Sequence, residues 1–222
     1  MTRRNDPEPD STRQRLLEAA GETFADHGFA ASTIQMISQR AGANIASVNY
    51  YFGSKEKLYH EVLTFGRRVS GEADQPLVTA PVGENPRVTL RRFIRRYLDC
   101  LLSPDRPEWY NKLVAREIAE PSVALDELIE IKIQPIRQHL ASIVTDMHGG
   151  HVDAKMLQQV MESVVGQCLF YYRCRHVVLR LRGLAQYDEA TIDEIAENLS
   201  AFSIGGITAL LQLDLPTLRA KN

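Results

Sequence analysis

The chain has 222 residues, 44% of them hydrophobic and 24% charged, with 26 Lys and Arg against 28 Asp and Glu. That is enough for a sizeable core, and the net charge of -2 excludes polyanion binding spread over the whole surface, so any nucleic-acid site has to be a local patch. Cys100, Cys168 and Cys174 make neither a disulfide framework nor a CxxC pair, and together with the lack of an N-terminal apolar region or an apolar run of about 18 residues this predicts a cytoplasmic protein without a membrane partner.

Strand-like alternation between hairpin turns is not found, whereas helical spacing recurs throughout. Residues 1–10 are polar and contain Pro7 and Pro9, which reads as a flexible arm; Arg3, Arg4 and Arg13 are solvated charges by default and DNA contacts at best. Ser11 to Gln14 is a capping-box pattern opening a helix with Leu16, Leu17, Ala20 and Phe24 on one face and an end near His27-Gly28. A second such pattern, Ser32 to Gln35, precedes Ile34, Ile37 and Ala41. Asn44 caps a short helix to Phe52, and Ser54 caps one running towards Val69. Residues 71–87 are rich in Gly and Pro and read as a long loop or linker. Helical periodicity then covers 88–102, 108–119 and 122–148, with Pro135 as a kink. The two most apolar helices are expected over 153–181 and 191–213, the latter capped at Thr191.

Arg40 to Asn44 joins two short helices, and Gly42 can take the left-handed turn conformation, so the pair fits a helix-turn-helix. On a helical wheel Ile45, Val48 and Phe52 share one side, with Ala46, Ser47 and Tyr50 opposite and Asn49 and Tyr51 on the flanks. That outward set carries no acid. Small residues permit close entry into a major groove, and Ser, Asn and Tyr can bond base edges or phosphate oxygens. Thr33, Asn44 and the Ser54-Lys55 step each open a helix, where free N–H groups favour an anion.

The stretch TIQMISQRAGANIASVNYYFGSKEKLY (Thr33 to Tyr59) resembles the DNA-binding domain of the TetR family of bacterial transcriptional regulators. The resemblance rests on Thr33, Ile37-Ser38, Ala41-Gly42, Asn44, Tyr50-Tyr51, Phe52, Ser54-Lys55-Glu56 and Leu58-Tyr59. Ala46 stands where many members have Gly, and Asn49 where many have Tyr, which leaves the operator sequence open. The C-terminal half resembles the CecR-like branch through REIAEPS (Arg116 to Ser122), the Ile136–Ile143 helix and VGQCLFYY (Val165 to Tyr172). The resemblance implies an all-α protein, with a helix-turn-helix domain over 11–60 joined to a helical ligand-binding and dimerisation domain over 61–222. It further implies a homodimer acting as a repressor on double-stranded operator DNA and released by a small-molecule effector. The DNA-contact set is Thr33, Asn44, Ala46, Ser47, Asn49, Tyr50, Tyr51 and Lys55.

Elsewhere, Arg116 and Glu117 lie mid-helix among apolar residues and read first as an internal ion pair, then as ligand recognition. Gln167, Cys168 and Tyr171 fall within about one turn of an apolar helix and are candidate pocket liners, with core or interface packing the equal alternative. The two most apolar helices are apolar over more than the stripe a one-sided helix needs. Phe170, Leu199, Phe202, Ile207 and Leu210 are therefore candidates for a dimer interface, with Ser203, Gly205 and Gly206 allowing close approach. His148-Gly-Gly-His151 has no third ligand and reads as a surface turn. Gly53-Ser54-Lys55 lacks the order and upstream glycine of a phosphate loop. Neither a cofactor, a metal nor a catalytic constellation is called for; the competing reading is an all-α binding protein or enzyme with a structural N-terminal unit.

Overall fold

A computed structural model describes residues 9–71, 83–104 and 106–212, and every regular element among them is helical. The elements are α1 (Pro9–Ala31), α2 (Ile34–Ala41), α3 (Ile45–Phe52), α4 (Lys55–Val69), α5 (Pro86–Leu102), α6 (Glu108–Ala119), α7 (Leu125–Leu128), α8 (Gln134–His148), α9 (Ala154–Arg173), α10 (Arg175–Arg182) and α11 (Glu189–Gln212), with a π-helical turn Ile129–Ile133 between α7 and α8. Arg3, Arg4 and most of the expected arm lie outside the described residues, as do 72–82 of the expected loop.

Several boundaries differ from expectation for local reasons. Pro9 opens α1, so Ser11 lies inside the helix instead of at its cap; the fixed φ of proline suits a first turn. Thr33, not Ser32, caps α2, because the Ser32 hydroxyl is engaged by the carbonyls of Gly28 and Thr23, at 2.6 and 3.2 Å. Asp188, not Thr191, holds the start of α11, accepting the Thr191 N–H at 2.8 Å. The expected helix over 122–148 is broken into α7, the π turn and α8, with Pro135 at the start of α8, where its missing N–H costs nothing. The expected helix over 153–181 breaks at Cys174.

The described residues form two compact units, one gathering 9–71 with 106–131 and the other 83–104 with 132–212. The expected boundary at residues 60 and 61 falls inside α4. In the first unit Leu16, Leu17, Phe24, Ile37, Val48, Phe52, Leu58, Tyr59 and Val62 of α1–α4 share one core with Tyr110 and Leu113 of α6 and Leu128 of α7. Two glycines admit α6 closely: a Cβ built on Gly21 would meet the Trp109 ring at 2.5–2.8 Å, and one on Gly66 would lie 2.8 Å from Tyr110 Cε2.

In the second unit Leu90, Phe93, Ile94, Tyr97 and Leu98 of α5 pack with residues of α8, α9 and α11. Arg91 pairs with Glu197 and Arg95 with Asp193, which runs α5 and α11 antiparallel. Leu199, 7% exposed, and Ile207 belong to this core, a correction to their expected place at a dimer interface. Both lie on the α11 stripe with Ile192, Ile195 and Ala196 that the core side of the unit covers. Phe170 of α9 and Phe202 of α11 instead point outward, and Leu210 is half-buried against the core.

Candidate DNA-binding site

The site is built from three helix starts. Thr33 Oγ1 accepts the Met36 N–H at 3.2 Å, Asn44 Oδ1 accepts that of Ala46 at 3.0 Å, and Ser54 Oγ accepts that of Lys57 at 3.2 Å. Each cap fixes the entry angle of its helix while leaving other first-turn N–H groups free. Between α2 and α3, Gly42 sits at φ 59°, ψ 35°, and Ala43 N–H returns to Ser38 O at 2.9 Å. This left-handed closure turns the chain sharply into α3, and a Cβ would strain it.

Val48 and Phe52 bury one side of α3. Ile45, expected beside them, is 45% exposed: the part of α3 that the core covers begins one turn further on, at Val48. The outward face therefore holds Ile45, Ala46, Asn49 and Tyr50, the last 83% exposed, with Ser47 and Tyr51 half-buried beside it. Tyr51 meets Tyr50 edge-on at 5.1 Å, which holds the Tyr50 ring outward. No charged residue occurs in α3.

Lys55 is turned inward. Its ammonium donates to Phe29 O at 2.9 Å and Ser32 O at 3.1 Å and lies 4.4 Å from the Phe29 ring centre. A cation there satisfies carbonyls at the end of α1. The exposed cation of that helix start is Lys57, two residues on. The SKEK pattern contains both lysines, and only the fold separates them.

Arg116 and Glu117 do not pair with each other, which corrects the expected ion pair. Neighbours in a helix point about 100° apart, and each has other partners. Arg116 bonds Glu120 at 3.3 Å and donates to Asp26 O at 3.1 Å. Glu117 is 2% exposed and accepts the Tyr59 hydroxyl at 2.6 Å. Burial and that carboxylate push the Tyr59 phenol far above its ordinary value. Both residues belong to the first unit, whereas Gln167, Cys168 and Tyr171 belong to the second, so the five do not gather within one unit. Cys168 is fully buried, its thiol pushed up to about 12 by desolvation; Gln167 bonds Ser163 O at 3.2 Å and Tyr171 accepts the Tyr187 hydroxyl at 3.3 Å through its carbonyl. His148 and His151 are exposed, and no group of three or more metal-ligating side chains occurs among the described residues.

Residues 16–62 match the model of bacterial regulatory proteins of the tetR family, and 86–207 match that of the C-terminal domain of the HTH-type transcriptional dual regulator CecR. CecR of Shigella flexneri is 26% identical over 201 residues, covering 86% of this chain and 89% of that protein. The HTH-type transcriptional regulator RutR of Escherichia coli strain K12 is 25% identical over 195 residues, covering 88% and 90%. The structure of AibR in complex with isovaleryl coenzyme A and operator DNA has the same fold, with a TM-score of 0.61 at 16% identity over 86% of this chain and 97% of that one. With a helix-turn-helix that presents an uncharged face between three capped helix starts, and a second unit matched across most of its length, the chain belongs to the TetR family of transcriptional regulators and carries a CecR-type C-terminal domain.

Proposed function

We propose that the chain is a ligand-responsive repressor that binds a palindromic operator as a homodimer and releases it when a small molecule binds. It acts by binding and not by catalysis, in the cytoplasm. No helix among the described residues is long and apolar enough to cross a membrane. The observation that carries the reading is the outward face of α3, where Ala46 leaves room for the groove while Ser47 and Asn49 offer hydrogen bonds to base edges. Ile45 adds an apolar contact suited to a thymine methyl. Thr33, Asn44, Tyr50 and Tyr51 reach phosphates around the helix starts, and Lys57 supplies the free cation beside Lys55.

The dimer rests on α9 and α11. Phe170 and Phe202 are 52% and 69% exposed, and Gly166, Gly205 and Gly206 lie on these same helices with open space where a Cβ would be. A second copy seated there would close a four-helix, self-complementary interface and bury well over about 1,000 Å². It would hold two copies of α3 roughly 34 Å apart, one turn of DNA or a multiple. Effector binding belongs to the second unit, with Gln167 and Tyr171 as half-buried polar groups near its core; AibR, bound to an acyl coenzyme A and to operator DNA, is a precedent for the arrangement.

The test is selection of bound fragments from genomic DNA by the purified protein, followed by Ser47→Ala and Asn49→Ala. Recovery of an inverted repeat is expected. Each variant should change the preferred bases, because removing one base-edge hydrogen-bonding group costs about 1–3 kcal/mol of discrimination. Variants that read the same sequence with parental affinity would remove α3 as the reader.

A further inference from the structure

We propose that Glu117 is a positioning residue for operator recognition, a reading that rests on the regulatory function above: its carboxylate makes α6 and α7 part of the body that carries α3. Glu117 stands 58 residues from Tyr59 in sequence, yet the two side chains meet in the core of the first unit. Three donors converge on the carboxylate. The Tyr59 hydroxyl lies 2.6 Å from Oε2, the Ser122 hydroxyl 2.8 Å from the same oxygen, and the Ser122 N–H 2.7 Å from Oε1. One carboxylate thereby ties α4, α6 and the turn before α7.

The tie bears on the reading helix through Tyr59. Its ring is buried edge-on against Phe24 of α1 at 4.7 Å and Phe29 at 5.2 Å, in the same core as Val48 and Phe52 of α3. Polar contacts at the unit's surface repeat the pattern. Lys112 of α6 bonds Asp26 at 2.7 Å, Arg40 of α2 bonds the other oxygen of Asp26 at 3.0 Å, and His60 of α4 pairs with Glu127 of α7. The 106–131 segment is thus fastened to α1 and α4 directly and to α2 through Asp26. An apolar contact in place of Glu117 would bury as well but tolerate sliding. A buried charge deprived of a donor is left unpaired, so this contact favours one register of α6 on α4. In a dimer the separation of two recognition helices decides which half-site spacing fits, and because both ends of the 106–131 segment run on into the unit that carries α9 and α11, its register on α4 bears on that spacing.

The experiment uses the full chain as parent, Tyr59→Phe, Glu117→Gln and Glu117→Ala. Binding is measured by fluorescence anisotropy on the selected operator, on versions with one base pair added or removed between half-sites, and on an unrelated duplex. Hydrogen exchange of the DNA-free protein is followed over 108–119. Tyr59→Phe and Glu117→Ala should lose about tenfold of the parent's discrimination between spacings, the equivalent of one charge-assisted hydrogen bond. Glu117→Gln, which still accepts from Tyr59, should restore part of it. Exchange over 108–119 should quicken about 10–100-fold in Tyr59→Phe, with α5 and α11 unchanged. Tyr59→Phe decides if Glu117→Ala does not fold. Faster exchange or a lower Tm with an unaltered spacing preference would make Glu117 a stabilising residue only and overturn the proposal, as would no change in either. A parent that prefers no duplex sinks the regulatory reading instead, and exchange alone then decides whether α6 belongs to the α1–α4 body.

Discussion

Replacing Gly66 by Ala measures how tightly α6 is seated. Gly66 lies inside α4, so alanine gains about 1 kcal/mol of helix propensity. Against that, the new Cβ would lie 2.8 Å from Tyr110 Cε2, nearer still to Cδ2, and 2.9 Å from Trp109 Cη2. Carbon atoms at rest sit about 3.5–4.0 Å apart, so α6 or the ring has to move. Tyr110 is fully buried and has no solvent side to swing into. Overpacking of this kind costs about 3 kcal/mol at the upper end of its usual range, which leaves a net loss of about 2 kcal/mol. For Gly21→Ala the nearest atoms all belong to the ring of Trp109, which is half-buried and can tilt, so its loss should be smaller. Trp109 is the one tryptophan of the sequence, so its fluorescence during urea unfolding reports on this seat. A Gly66→Ala protein as stable as the parent, at unchanged m-value, would refute the reasoning.

Lys55→Ala should lower the stability of the first unit by about 1 kcal/mol by freeing two carbonyls at the end of α1. Lys57→Ala should leave stability alone and flatten the salt dependence of DNA binding by about one counterion, read from titrations at several salt concentrations. Burial holds the His139 imidazole below its ordinary value, with Arg92 adding to the effect. The unfolded chain then binds more protons, so this contribution is complete above about pH 6.5 and is lost as pH falls towards the lowered folded value; urea midpoints between pH 5 and 8, expected to flatten in His139→Gln, check it. Gly205→Ala has open space around its Cβ and should cost the protomer nothing, yet it should weaken the dimer in sedimentation, and Phe202→Lys should yield monomers that lose tight operator binding.

The capped starts at Thr33, Asn44 and Ser54 were legible because a cap is decided by residues within three positions. The inward turn of Lys55 was not, since its acceptors lie 23 and 26 residues back. On α11 the apolar circumference showed that two faces exist, but Leu199 and Phe202 are equivalent as letters. Only the packing of α5 and α9 separates core from outer face. The expected boundary at residues 60 and 61 falls inside α4, and the first unit takes in residues 106–131 as well, a return that no local pattern in the sequence announces.

That return carries a consequence for the N-terminal segment on its own. The match to the tetR-family model covers 16–62, which invites treating this segment as an independent reader. Its core says otherwise. Tyr110, Leu113, Val114 and Leu128 are all buried against the helices of that segment. At about 1.5–3 kcal/mol for each side chain withdrawn from water, the four contribute about 6–12 kcal/mol, comparable with the roughly 5–15 kcal/mol that holds a whole domain together. Without α6, the Tyr59 hydroxyl loses its carboxylate. A peptide of residues 9–71 should therefore show little cooperative melting by circular dichroism, and a chain of 9–71 joined to 106–131 by a flexible linker should recover it. A peptide that melts as sharply, and at the same temperature, as the first unit of the full chain would show that α6 rests on the reader without helping to build it.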